Sequence, residues 1–181
     1  FVVDSENGWY NAANSATLYM YFKAGNVDAP LAERNPYAFS PAIAPHVAAA
    51  RAGAAIDLER IAGAYARLAA RADVVVVEGA GGPLVPIDAR HDMLDIARRL
   101  RVPVVLVRLG CLNHAVAAGL AIRSRGLELA GWVANRTEPA MEAAGETVAS
   151  LDARLPAPRI ADLAWGAAST GSMVLARLGF G

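Results

Sequence analysis

Cysteine is nearly absent: the 181 residues contain one, Cys111. A single thiol excludes an intrachain disulfide framework and any zinc site built on several cysteines. It also suits a reducing compartment. Histidine is scarce too, and His46, His91 and His114 are widely separated and form no HExxH pattern, so no transition-metal site is expected. Net charge is missing, since 17 basic residues balance 17 acidic ones. The chain as a whole therefore makes no case for nucleic acid or an anionic membrane surface as a partner. The longest apolar runs are far too short to span a bilayer, so no membrane segment is expected. The apolar start Phe1-Val2-Val3 meets Asp4 at once and carries no basic region. No signal peptide is expected from it, and the cytoplasm is the expected location.

What is present is a globular composition, 55% hydrophobic and 19% charged, at a length that fits one domain over residues 1–181. Short apolar runs alternate with longer periodic stretches. Val74-Val75-Val76-Val77, Val102-Pro103-Val104-Val105-Leu106-Val107 and Leu129-Ala130-Gly131-Trp132-Val133-Ala134 read as strands apolar on both faces, as in a parallel sheet covered by helices. Helices are expected over Leu58 to Ala72 with Asp57 as N-cap, over Asp92 to Leu100, and over Asn113 to Arg125 with Gly126 as the stop. Asn135 to Leu155 reads as helical after Pro139. Phe1-Val2-Val3 reads as a first strand, Ser15 to Ala24 as an aromatic-rich helix and Arg159-Ile160-Ala161 as a late strand. Asn26 to Pro45 holds four of the ten prolines and reads as an irregular loop. The alternation predicts an α/β fold with a doubly wound, mostly parallel sheet.

Ligands of such sheets bind beyond the carboxyl ends of the strands. Three segments fall there. In the first, Glu78 ends an apolar strand and is followed by Gly79, Ala80, Gly81 and Gly82. An acidic residue in that place can hold magnesium, and small residues let backbone amides approach a ligand. A strand cap followed by a flexible turn explains the same residues. The second is Arg108-Leu109-Gly110-Cys111-Leu112-Asn113-His114, where a helix N-terminus could seat a carboxylate. Asn113 is equally an N-cap, His114 a polar residue on the helix face, and Cys111 a small packed residue. In the third, Asn135 ends a strand with an amide that matches a purine edge or caps the next turn. His46, in a proline-rich loop, reads as structural or exposed.

Taken together, Asn35-Pro36-Tyr37-Ala38-Phe39, Pro41-Ala42-Ile43-Ala44-Pro45-His46, Glu78-Gly79-Ala80-Gly81-Gly82, Leu109-Gly110-Cys111-Leu112-Asn113-His114-Ala115 and Leu129-Ala130-Gly131-Trp132-Val133-Ala134-Asn135 resemble successive signature segments of the dethiobiotin synthetases, in family order. The resemblance implies a P-loop NTPase-like three-layer α/β/α fold, a homodimer and a step of biotin synthesis. In that step 7,8-diaminononanoate takes up CO2 as a carbamate, ATP phosphorylates it, and the ureido ring closes. It implies ATP and Mg2+ as the nucleotide and metal, with Glu78 as metal ligand. Gly79, Ala80, Gly81 and Gly82 would line the diamine and phosphate region. Gly110, Cys111 and Asn113 would hold the substrate carboxylate from the partner subunit. Asn135 would read adenine, with Ala157 and Pro158 near the base. No catalytic residue is assigned.

The head of the chain departs from that pattern. Members open with a strand and a glycine-rich turn ending Gly-Lys-Thr. Aligned without a gap, Asp4 falls at the first glycine, Tyr10 at the last, Asn11 at the lysine and Ala12 at the threonine. The lysine that pairs phosphates and the hydroxyl that holds magnesium are thereby replaced, and Lys23 lies in the following helix. Between Gly25 and Asn35 the family's second strand and a second acidic metal ligand have no counterpart, and the strand ending at Val107 is shortened. Two function classes follow: an ATP-dependent ligase, or a scaffold of the same fold that does not bind ATP. The related partitioning ATPases and cobyrinate amidases are a more distant fit and need the same lysine.

Overall fold

The computed structural model describes residues 2–4, 27–40, 43–110, 112–136, 138–166 and 176–179. The helix expected at Ser15 to Ala24 and the Tyr10, Asn11 and Ala12 positions lie outside them, as does Cys111. The chain divides into two compact units, residues 1–102 and 103–181.

In the first unit, β1 (Val2–Asp4) pairs in parallel with β2 (Glu78–Gly79), Val2 opposite Glu78 and Val3 opposite Gly79. The valine run was expected to be the strand, yet the ladder with β1 begins only at Glu78. A β-branched run favours extended backbone, but a ladder also needs a partner strand, and β1 pairs with Glu78 and Gly79, the two residues after the run. Val76 is accordingly exposed while Val77 is buried.

Among the described residues of this unit three helices precede β2 and one follows it. α1 (Leu31–Arg34) interrupts the stretch expected to be irregular, and α2 (Pro45–Arg51) starts at its last residue. Pro45 stands in the first turn of α2, where its missing N–H costs nothing and its fixed φ favours the helix. α3 (Leu58–Ala69) buries Ile61, Ala64 and Leu68 along one face, and Asp57 caps it by accepting from Glu59 N at 2.9 Å. α3 packs against α1 and against α4 (Met93–Leu100). Glu33 of α1 takes Arg67 at 3.0 Å and also Arg71, and Arg99 of α4 reaches Glu59 at 2.6 Å. α4 starts with a reciprocal capping box: Asp92 accepts from Leu94 N at 3.0 Å, and Asp95 accepts from Asp92 N at 3.0 Å. Met93, Leu94, Ile96 and Ala97 are fully buried and form the heart of this unit's core.

In the second unit β3 (Val104–Val107), β4 (Leu129–Asn135) and β5 (Arg159–Leu163) run parallel, with β4 in the middle. Leu106 lies opposite Trp132, and Asn135 opposite Leu163. α5 (Leu112–Ser124) packs on β3, β4 and α6 (Ala144–Arg154). Gly119 of α5 permits that packing, since a Cβ there would lie 2.9 Å from Leu155 Cδ2. Trp132, Leu106, Ile122 and Leu151 are fully buried.

Two expected boundaries move. α5 opens at Leu112, so Asn113 sits inside the first turn and is not the N-cap. α6 opens only at Ala144, after Ala143 adopts φ 52, which breaks the run expected from Pro139 onward. A left-handed residue cannot continue a right-handed helix. Among the described residues no helix is long and apolar enough to cross a membrane.

Candidate functional site

The candidate residues fall at strand ends in both units, and each unit is built locally. In the first, Glu78 and Gly79 form β2, with Glu78 half-buried and Gly79 buried. Ala80 and Gly82 are half-buried and Gly81 is exposed. Gly81 takes φ +76, a left-handed backbone that favours glycine, and a Cβ there would meet Val85 Cγ2 at 3.1 Å, so that side chain would have to give by a few tenths of an ångström. The turn is closed by Val85 N donating to Gly82 O at 3.1 Å.

Beyond it the loop folds back on the start of α4. Leu94 N donates to Pro83 O at 3.2 Å, and Met93 N donates to Val85 O at 3.1 Å. His46 in the first turn of α2 holds the same loop from another side, its Nδ1 lying 3.2 Å from Pro86 O. The glycine segment thus leads into a loop held by hydrogen bonds at Gly82, Pro83, Val85 and Pro86. Further on, Asp88 accepts from Arg90 N at 2.6 Å and His91 N at 2.8 Å, and its other oxygen lies 2.7 Å from His91 Nδ1. Burial pushes the Asp88 carboxyl up, but the His91 hydrogen bond and the two backbone donors outweigh it and hold the group at about 2.

In the second unit Arg108 follows β3 and is 2% exposed. Its backbone bridges strand ends: Arg108 N donates to Val133 O at 2.8 Å, and Asn135 N donates to Arg108 O at 3.4 Å. Its guanidinium Nη2 lies 3.1 Å from His114 Nδ1. A guanidinium only donates, so this contact requires His114 Nδ1 to be the acceptor and places the ring proton on Nε2. Sequence reading left both side chains as bystanders. The signal available was an arginine directly after an apolar strand and six residues before a histidine on the next helix. Gly110 is half-buried with φ 134, a conformation open to glycine, and it redirects the chain into α5. Asn113 is exposed in the first helical turn.

Asn135 closes β4 and is half-buried. Its register partner is Leu163, and Arg136 N donates to Leu163 O at 3.0 Å. Ala157 and Pro158 lie elsewhere. Pro158 O accepts from Trp132 N at 3.0 Å, three residues back along β4, which is about 10 Å at strand rise. They precede β5, whereas the segment that reaches the Asn135 end is 164–166. There Trp165 is 57% exposed, an aromatic face missed by the sequence reading. Around these ends Arg136 grips Asp162 through two hydrogen bonds of 3.1 Å each. Asp162 also meets Arg159 at 3.4 Å, and Arg159 reaches Asp152 at 3.1 Å.

Magnesium is compatible with this chemistry. It is held through one or two carboxylates, with water and phosphate oxygens completing the shell, and Glu78 offers one carboxylate at a strand end. Among the described residues no cluster of three or more His, Cys, Asp or Glu could hold a metal without such outside ligands.

Parallel strands alternating with helices, one of them followed by a glycine-rich turn, define an α/β protein, and a family match makes it one of the P-loop NTPase-like kind. The family described as AAA domain matches residues 16–172. The chain is 49% identical over 157 residues to a protein of Pseudomonas paraeruginosa named ATP-dependent dethiobiotin synthetase, an overlap of 81% of this chain and 68% of the relative. It is also 49% identical over 138 residues to the enzyme of that name from Aromatoleum aromaticum, and 47% identical over 138 residues to that from Nitrosospira multiformis. Each of those two overlaps covers 75% of this chain and 61% of the relative. The chain belongs to the dethiobiotin synthetase family. It spans about three fifths of the length of the first relatives it matches, at 61%.

Proposed function

We propose that the chain acts in ATP-dependent dethiobiotin synthesis, closing a ureido ring on 7,8-diaminononanoate with CO2. The observation that carries this reading is the strand-end turn at Glu78 to Gly82. It presents one carboxylate and a backbone shaped by Gly81 at the carboxyl end of a parallel strand. In this reading Glu78 holds magnesium, which when bound neutralises charge on the nucleotide phosphates. Gly79, Ala80, Gly81 and Gly82 line the diamine. Gly110, Cys111 and Asn113 hold the substrate carboxylate from the partner subunit, in a segment that leads into a helix, whose first N–H groups favour an anion. Asn135 reads the adenine edge, and the exposed Trp165 at the same strand end offers a face against the base.

A homodimer is part of the proposal. On α5, Leu112 is 37% exposed and Leu120 is 62% exposed, with half-buried Val116 between them at four-residue spacing. Two such stripes would cover each other and bring one protomer's α5 to its partner. The cytoplasm is proposed as the location, in keeping with a single cysteine.

A second reading is favoured by Asn11 and Ala12 standing where the phosphate loop carries lysine and threonine. In it the chain is a dimeric scaffold that does not bind ATP. Isothermal titration of magnesium-ATP into the folded chain, followed by 7,8-diaminononanoate, separates the two. Micromolar binding supports the enzyme. No binding by the folded chain leaves the scaffold.

A further inference from the structure

The first turn of α2 carries a histidine that neither the strand-end chemistry nor the core accounts for. His46 is half-buried at the second position of α2, 40 residues from the carbonyl it meets. Its Nδ1 lies 3.2 Å from Pro86 O. A carbonyl oxygen only accepts, so Nδ1 carries the proton and donates.

Pro86 matters because of where it lies. The loop after β2 is also tied by Val85 N to Gly82 O, Leu94 N to Pro83 O and Met93 N to Val85 O, and these bonds belong to its own neighbourhood. Pro86 itself has no N–H, so its carbonyl is the backbone group through which a neighbour can fix it. The His46 bond brings in a separate helix. Pro86 is already paired antiparallel with Asp92, with Ile87 N donating to His91 O at 2.9 Å beside it, and the His46 bond adds to that local pairing a tie to α2.

We propose that His46 is a positioning residue for the glycine-rich loop that follows β2, fixing its far end through Pro86 O. The functional weight of this rests on that loop being the diamine-lining segment. It gives the sequence segment ending in Pro45-His46 a physical task, because that segment delivers the imidazole to the loop.

The test is residue-resolved amide exchange on the unliganded chain, comparing wild type, His46→Ala and His46→Asn. Asparagine places an amide nitrogen at nearly the reach of Nδ1 and can donate to the same carbonyl. His46→Ala should speed exchange of the Val85 amide about fivefold, the worth of one net hydrogen bond. Amides inside α3 should stay unchanged, and His46→Asn should stay within about twofold of wild type, well inside that single-bond effect. Unchanged Val85 exchange, an equal rise throughout α3, or no rescue by asparagine would each overturn the proposal. Imidazole nitrogen shifts of the unmodified chain above the histidine titration range give a check that needs no variant. The Nδ1-protonated tautomer supports the proposal, and the Nε2 tautomer overturns it. Because no ligand is involved, failure of the diamine reading would show as absent diamine binding with Val85 still protected.

Discussion

Gly131 of β4 leaves room for Ile160 of β5: a Cβ at position 131 would stand 2.7 Å from Ile160 Cγ2 and 3.1 Å from the Pro158 carbonyl oxygen. Ile160 could swing away, but the carbonyl cannot, because Trp132 N is bonded to it at 3.0 Å. Gly131→Ala should therefore destabilise the chain by about 1–3 kcal/mol, the usual cost of overpacking a tight contact. Urea unfolding of the two proteins measures it, and an unchanged midpoint would refute it.

Gly145 provides the opposite case. It lies in the first turn of α6 without a left-handed φ, and a Cβ there would meet nothing within 4 Å. Gly145→Ala should raise stability by roughly 0.5–1 kcal/mol through helix propensity and a less free unfolded chain. A fall in the unfolding midpoint would contradict the account of both glycines.

The two substitutions also mark what the sequence could disclose. Leu129 to Ala134 is legible as a strand because apolar residues line both faces, and the ladder occupies Leu129–Asn135. α3 is legible because Asp57 and the spacing of Ile61 and Leu68 carry local signals. The valines at 74–76 mislead because extended propensity is local while ladder pairing depends on β1, distant in sequence. α2 is masked by Pro41 and Pro45, since proline marks both loops and first turns. At the site, Asn135 ends β4 as read, whereas Glu78 opens the short β2, and Ala157 and Pro158 precede β5 beside Trp132. Linear closeness to a motif does not fix which end of a strand a residue occupies. Arg108 and His114 needed the turn at Gly110 before their contact could be seen.

Asp88 should leave a signature in acid. Its folded value lies near 2, below the ordinary 3.8. A carboxyl depressed on folding contributes stability that is present above its unfolded value and is lost as pH falls through the folded one. Asp88→Asn should thus be less stable than wild type at neutral pH, and the gap should close between 3.8 and about 2. The carboxylate is 39% exposed, so the gap is small. Denaturant midpoints for both proteins across that range provide the check, and a constant gap would show that the His91 contact does not discriminate the charged form.

The chain of Asp152, Arg159, Asp162 and Arg136 ties α6, β5 and the end of β4 by charge. The Arg136 guanidinium is held above its usual range, first by its hydrogen bonds to Asp162 and then by that residue's charge. Asp162→Asn should lower the melting temperature at low salt. In about 1 M salt, where the screening length is about 3 Å, the difference from wild type should narrow. A difference independent of salt would assign the loss to shape instead of charge.

Glu78 is the sharpest test of the proposed chemistry. Its side chain is half-buried at the first residue of the short β2, three residues before the left-handed Gly81. Glutamine keeps the volume and the acceptor oxygen but removes the charge that magnesium requires. If the chain binds magnesium-ATP, Glu78→Gln should weaken that binding at least about tenfold, in keeping with the loss of one charged ligand. ATP titrated without magnesium should then bind wild type and variant alike. Equal weakening with and without the metal would move Glu78 from metal ligand to a strand cap, and the turn after it would be architecture alone.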